Sequence, residues 1–422
     1  MTNTIPIWHL TKSFLLIKFI QIVIVYFTPV QFDTSSQIII TQLKNQHHHD
    51  SLPSIIISIL DKLLVWDSVH FNELFVNEYK YEHQFVFCPN WIWLIRNIPI
   101  GDHNYYHKFL LSIVLSNLCH YLSVIVLYYL TLRYFESSNH GRRQSQHSPS
   151  QLARLSSLFL IISSAGIFLT INYSENLCNL LTYSAIYVYD CSLNYQDFKS
   201  TNKKSINNYY LYVFSGIIIS LTFTIRANAL LLGVIYLIDL YQFLIINKNV
   251  NNSIGAIMGG LPLFLMFVIT NLISYLKFCP QRGEWCNYKL PILFQYAQSH
   301  YWNVGFLKYW TMGNIPNFII ILPTIIIQVF TILSFYKDLP QSPKFLNLVI
   351  ISILMNIGAI FFWNAQILTR IITMLPLQYW YLSILFQNPN PHQKSMVKII
   401  IYYNLIWNFL QTSLLAAFLP PA

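Results

Sequence analysis

Long apolar runs alternate with short polar stretches along almost the whole chain. A membrane-spanning helix needs about 20 mostly apolar residues to cross a hydrocarbon core of roughly 30 Å. Runs near that length occupy residues 14–30, 109–132, 155–172, 177–191, 209–225, 228–246, 254–276, 316–335, 345–363, 371–387 and 398–418. The pattern predicts an all-α polytopic membrane protein with about eleven transmembrane helices.

No boundary between domains is visible in this pattern. No small-residue cleavage site follows the first apolar run, so we interpret that run as a retained anchor rather than a signal peptide. A repeat of 20–50 residues is also missing from the sequence, which argues against a solenoid. We therefore treat residues 1–422 as a single multi-span domain.

Composition supports this interpretation. Apolar residues make up 55% of the chain and charged residues only 9%, whereas soluble proteins have about 25% charged residues. A soluble globule of this size could not cover its surface with so few charges. The net charge of +10 comes from 25 basic against 15 acidic residues, and in a membrane protein it reports orientation rather than nucleic-acid binding.

The basic residues of alternate short loops predict that orientation. One set of loops carries most of them: Lys12, Arg133, Arg142, Arg143, Arg154, Lys199, Lys203, Lys204, Lys248, Lys337, Lys344, Lys394 and Lys398. The short loops of the other set hold only Arg226 and Arg370. By the positive-inside rule the first set is cytosolic, including the loops at about 133–154 and 192–208. The long loops at about 31–108 and 277–315 then face the lumen, and the C-terminus ends on that side.

Ten of the fifteen carboxylates fall on the predicted lumenal side, so we expect any chemistry there. In the first long loop, Asp67 and Glu82 lie among aromatic residues and near His70 and His83. A carboxylate in apolar surroundings can act as a general base toward a hydroxyl. The alternative is that Asp67 caps a short interfacial helix. The sequence leaves both interpretations open.

Arg226 and Arg370 each lie at the predicted lumenal end of a span. A charge near the membrane is costly unless it has a partner or reaches the headgroups, and a guanidinium matches a phosphate well. Phosphate binding and simple snorkelling therefore both fit. Glu175 is similarly placed, where it would pair with an arginine or contact a sugar hydroxyl.

Most motifs that would indicate another kind of enzyme are absent from the sequence. There is no Asp-x-Asp pair to clamp a metal, no Gly-rich phosphate loop of the ATPase type and no Gly-x-Ser-x-Gly elbow. The tract His47-His48-His49-Asp50 has no second ligand cluster, so we expect a solvated loop and no metal site. In the second long loop, Cys279 and Cys286 form a disulfide in an oxidising lumen or remain two free thiols.

Several segments together resemble the PIG-V family, whose members are the second mannosyltransferase of glycosylphosphatidylinositol (GPI) assembly. YWNVGFLKYW (301–310) followed by NIPNF (314–318) is similar to the family signature. WDSVHF (66–71) with YEHQFVFCP (81–89) resembles its first lumenal motif, and QILTR with the later Pro-Leu-x-Tyr-Trp (366–380) resembles its last. The match runs from about residue 60 to 385. Two departures concern Glu78, which precedes Tyr79 where the family has Gly, and Cys88 and Asn90, which flank Pro89.

The resemblance implies a GT-C type fold in the endoplasmic reticulum membrane. It also implies transfer of mannose from dolichyl-phosphate-mannose to the 6-hydroxyl of the first mannose on the GPI lipid, in an α-1,6 link. A β-linked donor and an α-linked product require inversion in one displacement with one base. Asp67 is our candidate base and Glu82 the second candidate. Candidate substrate-binding residues are Trp66, His70, His83, Glu175, Arg226, Tyr301, Trp302, Asn303 and Arg370.

Two other functions fit a chain with many spans. A lipid transporter or flippase often shows symmetry between its halves, and none is visible here. A non-catalytic subunit of a glycolipid-assembly complex would keep its function without Asp67. We expect no cofactor beyond the lipid-linked donor. The sequence leaves open whether a metal ion assists and whether a small membrane partner subunit is required.

Overall fold

The computed structural model describes residues 4–29, 31–33, 37, 40–41, 52–86, 88–100, 104–136, 148–195, 204–279, 283–340, 342–387, 389 and 393–420. Most of each predicted apolar run is helical, which confirms the all-α membrane fold. The tract at residues 47–50, Asp102, the central parts of the loops at 133–154 and 192–208, and Pro280 lie outside the described residues.

Sixteen α-helices are present in the described part of the chain. They are α1 (Thr4–Phe27), α2 (Ser54–Leu63), α3 (Asp67–Val76), α4 (Pro89–Asn97), α5 (Tyr105–Glu136), α6 (Pro149–Ile161), α7 (Glu175–Cys191), α8 (Tyr209–Ile225), α9 (Val234–Tyr241), α10 (Val250–Phe278), α11 (Leu293–Tyr301), α12 (Ile315–Asp338), α13 (Leu346–Ile357), α14 (Leu368–Ile371), α15 (Leu377–Gln387) and α16 (Gln393–Ala416).

Shorter elements join these helices. The 3₁₀ segments are Glu82–Val86, Gly166–Leu169, Ala227–Gly233, Glu284–Asn287, Met312–Asn314, Pro343–Phe345, Ala365–Ile367 and Ile372–Met374, and the π-helical turns are Gln242–Ile246 and Gly358–Phe362. One antiparallel ribbon pairs β1 (Leu193–Tyr195) with β2 (Lys204–Ile206), with Asn194 opposite Ser205.

Seven helical stretches of the described chain are long and apolar enough to cross a membrane. They are Ile7–Phe27, Tyr105–Glu136, Ala227–Ile246, Val250–Phe278, Met312–Asp338, Pro343–Phe362 and Gln393–Ala416, and α8 is a shorter apolar helix. The predicted spans at 155–172 and 371–387 are instead broken helices. The first is interrupted after Ile161, and the second is interrupted at Leu375 and Pro376, because proline cannot continue a helix.

The break after α6 is stabilised by polar side chains from other helices. Lys18 donates to the carbonyl of Leu169 at 2.6 Å and to Thr170 Oγ1 at 2.7 Å. Asn117 donates to the Thr170 carbonyl at 2.7 Å, and Asn176 to the Leu169 carbonyl at 2.9 Å. Irregular backbone at membrane depth is tolerated only when protein groups satisfy it. These contacts fix the chain that leads into Glu175.

Close helix packing holds α8 against α10. A Cβ atom on Gly216 would lie only 1.9 Å from the carbonyl oxygen of Gly259, so the two backbones approach as only glycine allows. This packing positions the end of α8, after which Arg226 follows directly.

A second polar network lies at the opposite ends of the helices. Asp239 is fully buried, pairs with Lys204 and accepts hydrogen bonds from Tyr189 at 2.8 Å and Tyr212 at 2.7 Å. Arg133 on α5 pairs with Asp190 on α7 at 2.6 Å. Buried charges need such partners, and these tie the helix ends together. Their basic members belong to the loops predicted to be cytosolic.

Candidate active site

Asp67 is the first residue of α3, and an unusual backbone turn places it there. The preceding Trp66 has φ 54° and ψ −139°, a backbone conformation that residues other than glycine rarely adopt. The carbonyls of Val65 and Trp66 accept from the amides of Ser68 and Val69 at 3.1 and 3.2 Å. Asp67 is half-buried at the positive end of the helix, where a carboxylate is favoured.

Glu175 is the first residue of α7 and joins both candidate arginines. Its Oε1 atom lies 3.0 Å from Nη1 of Arg226 and 3.1 Å from Nε of Arg370. The Glu175 side chain is 1% exposed, and the arginines are 17% and 12% exposed. The structure therefore brings together three predicted residues that the sequence separates by up to 195 positions. Both arginines thus pair with Glu175 instead of only extending toward the lipid headgroups.

Aromatic rings hold Arg370 in this position. Its guanidinium lies 4.6 Å from the ring centre of Phe168 and 5.1 Å from that of Tyr173. Asp67 and Glu175 both interact electrostatically with Arg370. Burial, followed by the charge of Asp67, raises the pKa of Tyr173 well above its usual range, so this phenol stays neutral. Tyr173 and Phe168 were missed by the sequence reasoning, although Tyr173 is only two residues from Glu175.

The second departure from the family pattern, at Cys88 and Asn90, lies beside this cluster. Cys88 adopts φ 31° and ψ 62° at the start of α4, and its thiol interacts with Arg226, Ser174 and Glu175. Burial raises the pKa of Cys88 to about 12, which keeps the thiol neutral. Asn90 donates to Thr224 at 2.7 Å, two residues before Arg226. Both residues therefore help to attach α4 to the arginine end of α8.

Glu82 occupies a different environment from Asp67. Its Oε2 accepts from the indole of Trp285 at 2.9 Å, and its Oε1 accepts from the hydroxyl of Tyr301 at 2.9 Å. Glu82 is 7% exposed and Trp285 is fully buried. Both carboxylate oxygens are thus engaged by residues of the second long loop. Burial, followed by the hydrogen bond to Glu82, raises the pKa of Tyr301 to about 12.

The sequence left open whether Cys279 and Cys286 form a disulfide or remain free thiols, and in the structure the disulfide is formed. Cys279 is bonded to Cys286, with their Cα atoms 5.8 Å apart. Gly283 between them has φ 85°, and a Cβ there would lie 2.4 Å from the Trp285 ring. Only glycine therefore fits this turn. The disulfide and the turn together hold Trp285 against Glu82, a contact that the sequence reasoning did not anticipate.

The two candidate histidines differ in their surroundings. His83 stacks on Tyr81, with ring centres 5.6 Å apart, and lies 4.9 Å from the ring of Tyr301. Burial, and next the charge of His70, lowers the pKa of His83. His70 is exposed on α3, one turn after Asp67. The loop that contains Glu82 therefore lies near the helix that contains Asp67.

The signature segment 301–310 lies against the chain that leads to Arg370. The amide of Leu307 donates to the carbonyl of Phe361 at 2.7 Å, and the indole of Trp310 donates to the carbonyl of Ile360 at 2.8 Å. Trp302 is half-buried and packs near Tyr301, while Asn303 is exposed with φ 51°. The segment thus connects the Glu82 loop with the turn that precedes Arg370.

The described residues contain no group of three or more His, Cys, Asp or Glu arranged to hold a metal ion. The negative charges of Asp67 and Glu175 are balanced by the guanidinium groups of Arg226 and Arg370. Such a site can accept a proton on Asp67 and can hold a phosphate on its arginines.

Comparison with known proteins gives a consistent result. The family described as Mannosyltransferase (PIG-V) matches residues 7–347 and 341–422. GPI mannosyltransferase 2 of Candida albicans is 49% identical over 99% of this chain and 100% of its own length. The protein of that name from Saccharomyces cerevisiae is 35% identical, over 98% of this chain and 99% of its own.

Among solved structures, the chain is similar to the oligosaccharyltransferase of Archaeoglobus fulgidus in its apo form. The TM-score is 0.46 at 13% identity, over 92% of this chain and 56% of the other.

Proposed function

The chain belongs to the PIG-V family of mannosyltransferases, and from this membership we propose that it adds the second mannose of the GPI glycan. Its activity as a mannosyltransferase of GPI-anchor biosynthesis, acting on a lipid-linked acceptor in the membrane, follows from the family. The proposal concerns the rest: dolichyl-phosphate-mannose as the donor, an α-1,6 link as the product, and the endoplasmic reticulum lumen as the location.

The observation that supports this proposal most strongly is the contact of Glu175 with Arg226 and Arg370. A dolichyl phosphate is an anion at the membrane surface, and a guanidinium is the side chain best suited to bind it. The two arginines carry one more positive charge than Glu175 neutralises. They can therefore bind the phosphate while Glu175 holds them in fixed positions.

Asp67, as the proposed base, would balance the charge of the reaction. Before the reaction, the formal charges of the two arginines, Glu175 and Asp67 add up to zero. As the acceptor 6-hydroxyl attacks, its proton passes to Asp67, which becomes neutral and leaves the cluster with one positive charge. At the same moment the leaving phosphate gains one negative charge. The arginines thus stabilise the charge that develops in the transition state.

The proposed reaction is a single displacement, in which one bond to C1 of mannose forms and one breaks. The acceptor oxygen bonds to C1 of mannose, and the bond from C1 to the phosphate oxygen breaks on the opposite face. The configuration at C1 inverts from β to α, and no covalent enzyme intermediate forms. A single general base is sufficient for this chemistry, and Asp67 is the better candidate since both oxygens of Glu82 are already engaged.

No cofactor is needed in this mechanism, because the arginines supply the positive charge that a divalent cation supplies in other glycosyl transfers. We therefore expect transfer in isolated membranes to continue in the presence of a strong chelator. A loss of activity that added Mg²⁺ or Mn²⁺ restores would contradict this part of the proposal.

Depletion of the protein tests the proposed step. Cells that lose it are expected to accumulate a GPI precursor with one mannose, measured by mass spectrometry of the labelled glycolipids. The unmodified protein should reverse the accumulation, and an Asp67→Asn variant present in equal amount should not. A precursor with no mannose or with two would contradict the assignment. Rescue by the Asp67 variant and also by Glu82→Gln would favour a non-catalytic subunit.

A further inference from the structure

The C-terminal end of the chain lies against the turn that positions Asp67. After α16 the chain turns at Phe418, whose amide bonds to the carbonyl of Leu415 at 3.0 Å. The Phe418 ring meets the indole of Trp66 edge-on, with ring centres 5.4 Å apart and planes at 88°. Phe418 is 9% exposed and packs into the main apolar core. The amide of Phe32 also donates to the Ala417 carbonyl at 2.8 Å.

Unusual backbone conformations are concentrated around this contact. In the described part of the chain, six residues other than glycine have positive φ: Trp66, Cys88, Lys248, Asn303, Leu307 and Phe418. Trp66 and Phe418 contact each other, and Cys88 interacts electrostatically with Asp67. Backbone strain persists only where the surrounding structure holds it, and it often occurs at functional sites.

We propose that Phe418 is a positioning residue for catalysis: it holds Trp66 in its strained conformation and thereby fixes the carboxylate of Asp67. Trp66 directly precedes Asp67, so relaxation of its φ and ψ angles would rotate the first turn of α3. The carboxylate would then move relative to Arg370 and to the acceptor hydroxyl. Misplacement of a reacting group by about 1 Å can cost roughly 100-fold in rate.

This inference rests on the proposed role of Asp67, and it concerns a residue outside the short sequence motifs named above. The sequence shows Phe418 only as the end of an apolar run. Its contact with Trp66 arises because α16 returns the chain to the face on which α3 lies.

The test compares Phe418→Ala in two backgrounds of the full-length protein in membranes. In the natural background we expect kcat to fall about tenfold, with KM values for donor and acceptor within about twofold of normal. Glycine adopts the conformation of residue 66 without strain. In a Trp66→Gly background, Phe418→Ala should therefore lower kcat by less than about twofold beyond the effect of Trp66→Gly itself.

Phe418→Leu serves as a second variant that keeps the space filled; it should give a smaller loss of kcat, which also disappears in the Trp66→Gly background. Phe32→Ala is the matched control, because that ring is 82% exposed beside the same C-terminal segment. Equal losses in both backgrounds, or no loss in the natural background, would overturn the inference. Normal turnover by Asp67→Asn would instead overturn the proposed role of Asp67, on which the inference rests.

Discussion

Trp285 donates its indole N–H to Oε2 of Glu82, across 203 residues of sequence. The contact joins the two long loops that contain most of the predicted lumenal residues. Glu82 is held there by two donors and is nearly inaccessible, whereas Asp67 is half-buried at a helix start close to Arg370. The two carboxylates that the sequence offers as bases thus have different surroundings, and each suggests a different experiment.

Loss of the Glu82 contact should loosen the two loops from each other. Trp285→Phe keeps a ring and removes the donor, and a hydrogen bond to a charged group contributes about 1.5–3 kcal/mol. We expect faster proteolysis within 277–315 in this variant. Trp93→Phe is the control, because that indole is 63% exposed. Unchanged cleavage in Trp285→Phe would mean that the contact does not hold the loops together.

Asp67→Asn and Glu82→Gln should separate the two roles. Removal of a general base typically costs about 10²–10⁴-fold in rate, so Asp67→Asn should abolish most turnover without a change in protein amount. Glu82→Gln should retain measurable kcat and lose stability, because an amide cannot accept from both Trp285 and Tyr301 equally well. Both are assayed in membranes supplied with donor and acceptor. Near-normal transfer by Asp67→Asn with a dead Glu82→Gln would reverse the roles.

Glu175→Gln should affect both stability and donor binding. Without this carboxylate, the largely buried Arg226 and Arg370 remain close together with only Asp67 to offset their charges, and breaking a buried ion pair costs about 3–5 kcal/mol. We expect a lower Tm of the purified protein in detergent and a raised KM for the donor. Glu78→Gln, at an exposed carboxylate, should change neither value. A Glu175→Gln variant with normal Tm and donor KM would contradict this arrangement.

The stability of the loop around His83 should decrease in acid. Burial lowers the pKa of this histidine in the folded protein, so the unfolded chain binds the proton more readily. The contribution of neutral His83 is therefore complete above its ordinary pKa of about 6.5 and is lost as pH falls below that value. The Tm should decline less between about pH 7 and 5 in His83→Gln than in the natural protein. His9→Gln, at an exposed position, should leave the decline unchanged.

The predicted orientation can be tested on single positions of known exposure. Tyr81→Cys lies in the loop predicted to be lumenal, and Ser148→Cys lies in the loop predicted to be cytosolic; both side chains are exposed. In sealed microsomes an impermeant maleimide should label Ser148→Cys directly and Tyr81→Cys only after permeabilisation. The unsubstituted protein gives the background of its native thiols. The reverse pattern would place Asp67 on the cytosolic side.

Several features of the protein could be predicted from its sequence. The helical membrane fold follows from the apolar runs, because each run has to satisfy its own backbone in the bilayer. The run at 209–225 coincides with α8 as the structure has it. Family membership could be predicted too, because the signature segments are continuous in sequence. The charged residues Asp67, Glu175, Arg226 and Arg370 could also be identified as candidates, because charges next to a membrane are costly and usually mark functional sites.

Tertiary structure alone decided how these candidates are combined. Glu175 meets Arg226 and Arg370 because the start of α7, the end of α8 and the short helix α14 come together, and Glu82 meets Trp285 because two loops pack together. Such pairs depend on how helices far apart in sequence pack, and no local pattern records that packing. For the same reason the sequence could not show that Phe418 lies against Trp66, one residue before Asp67.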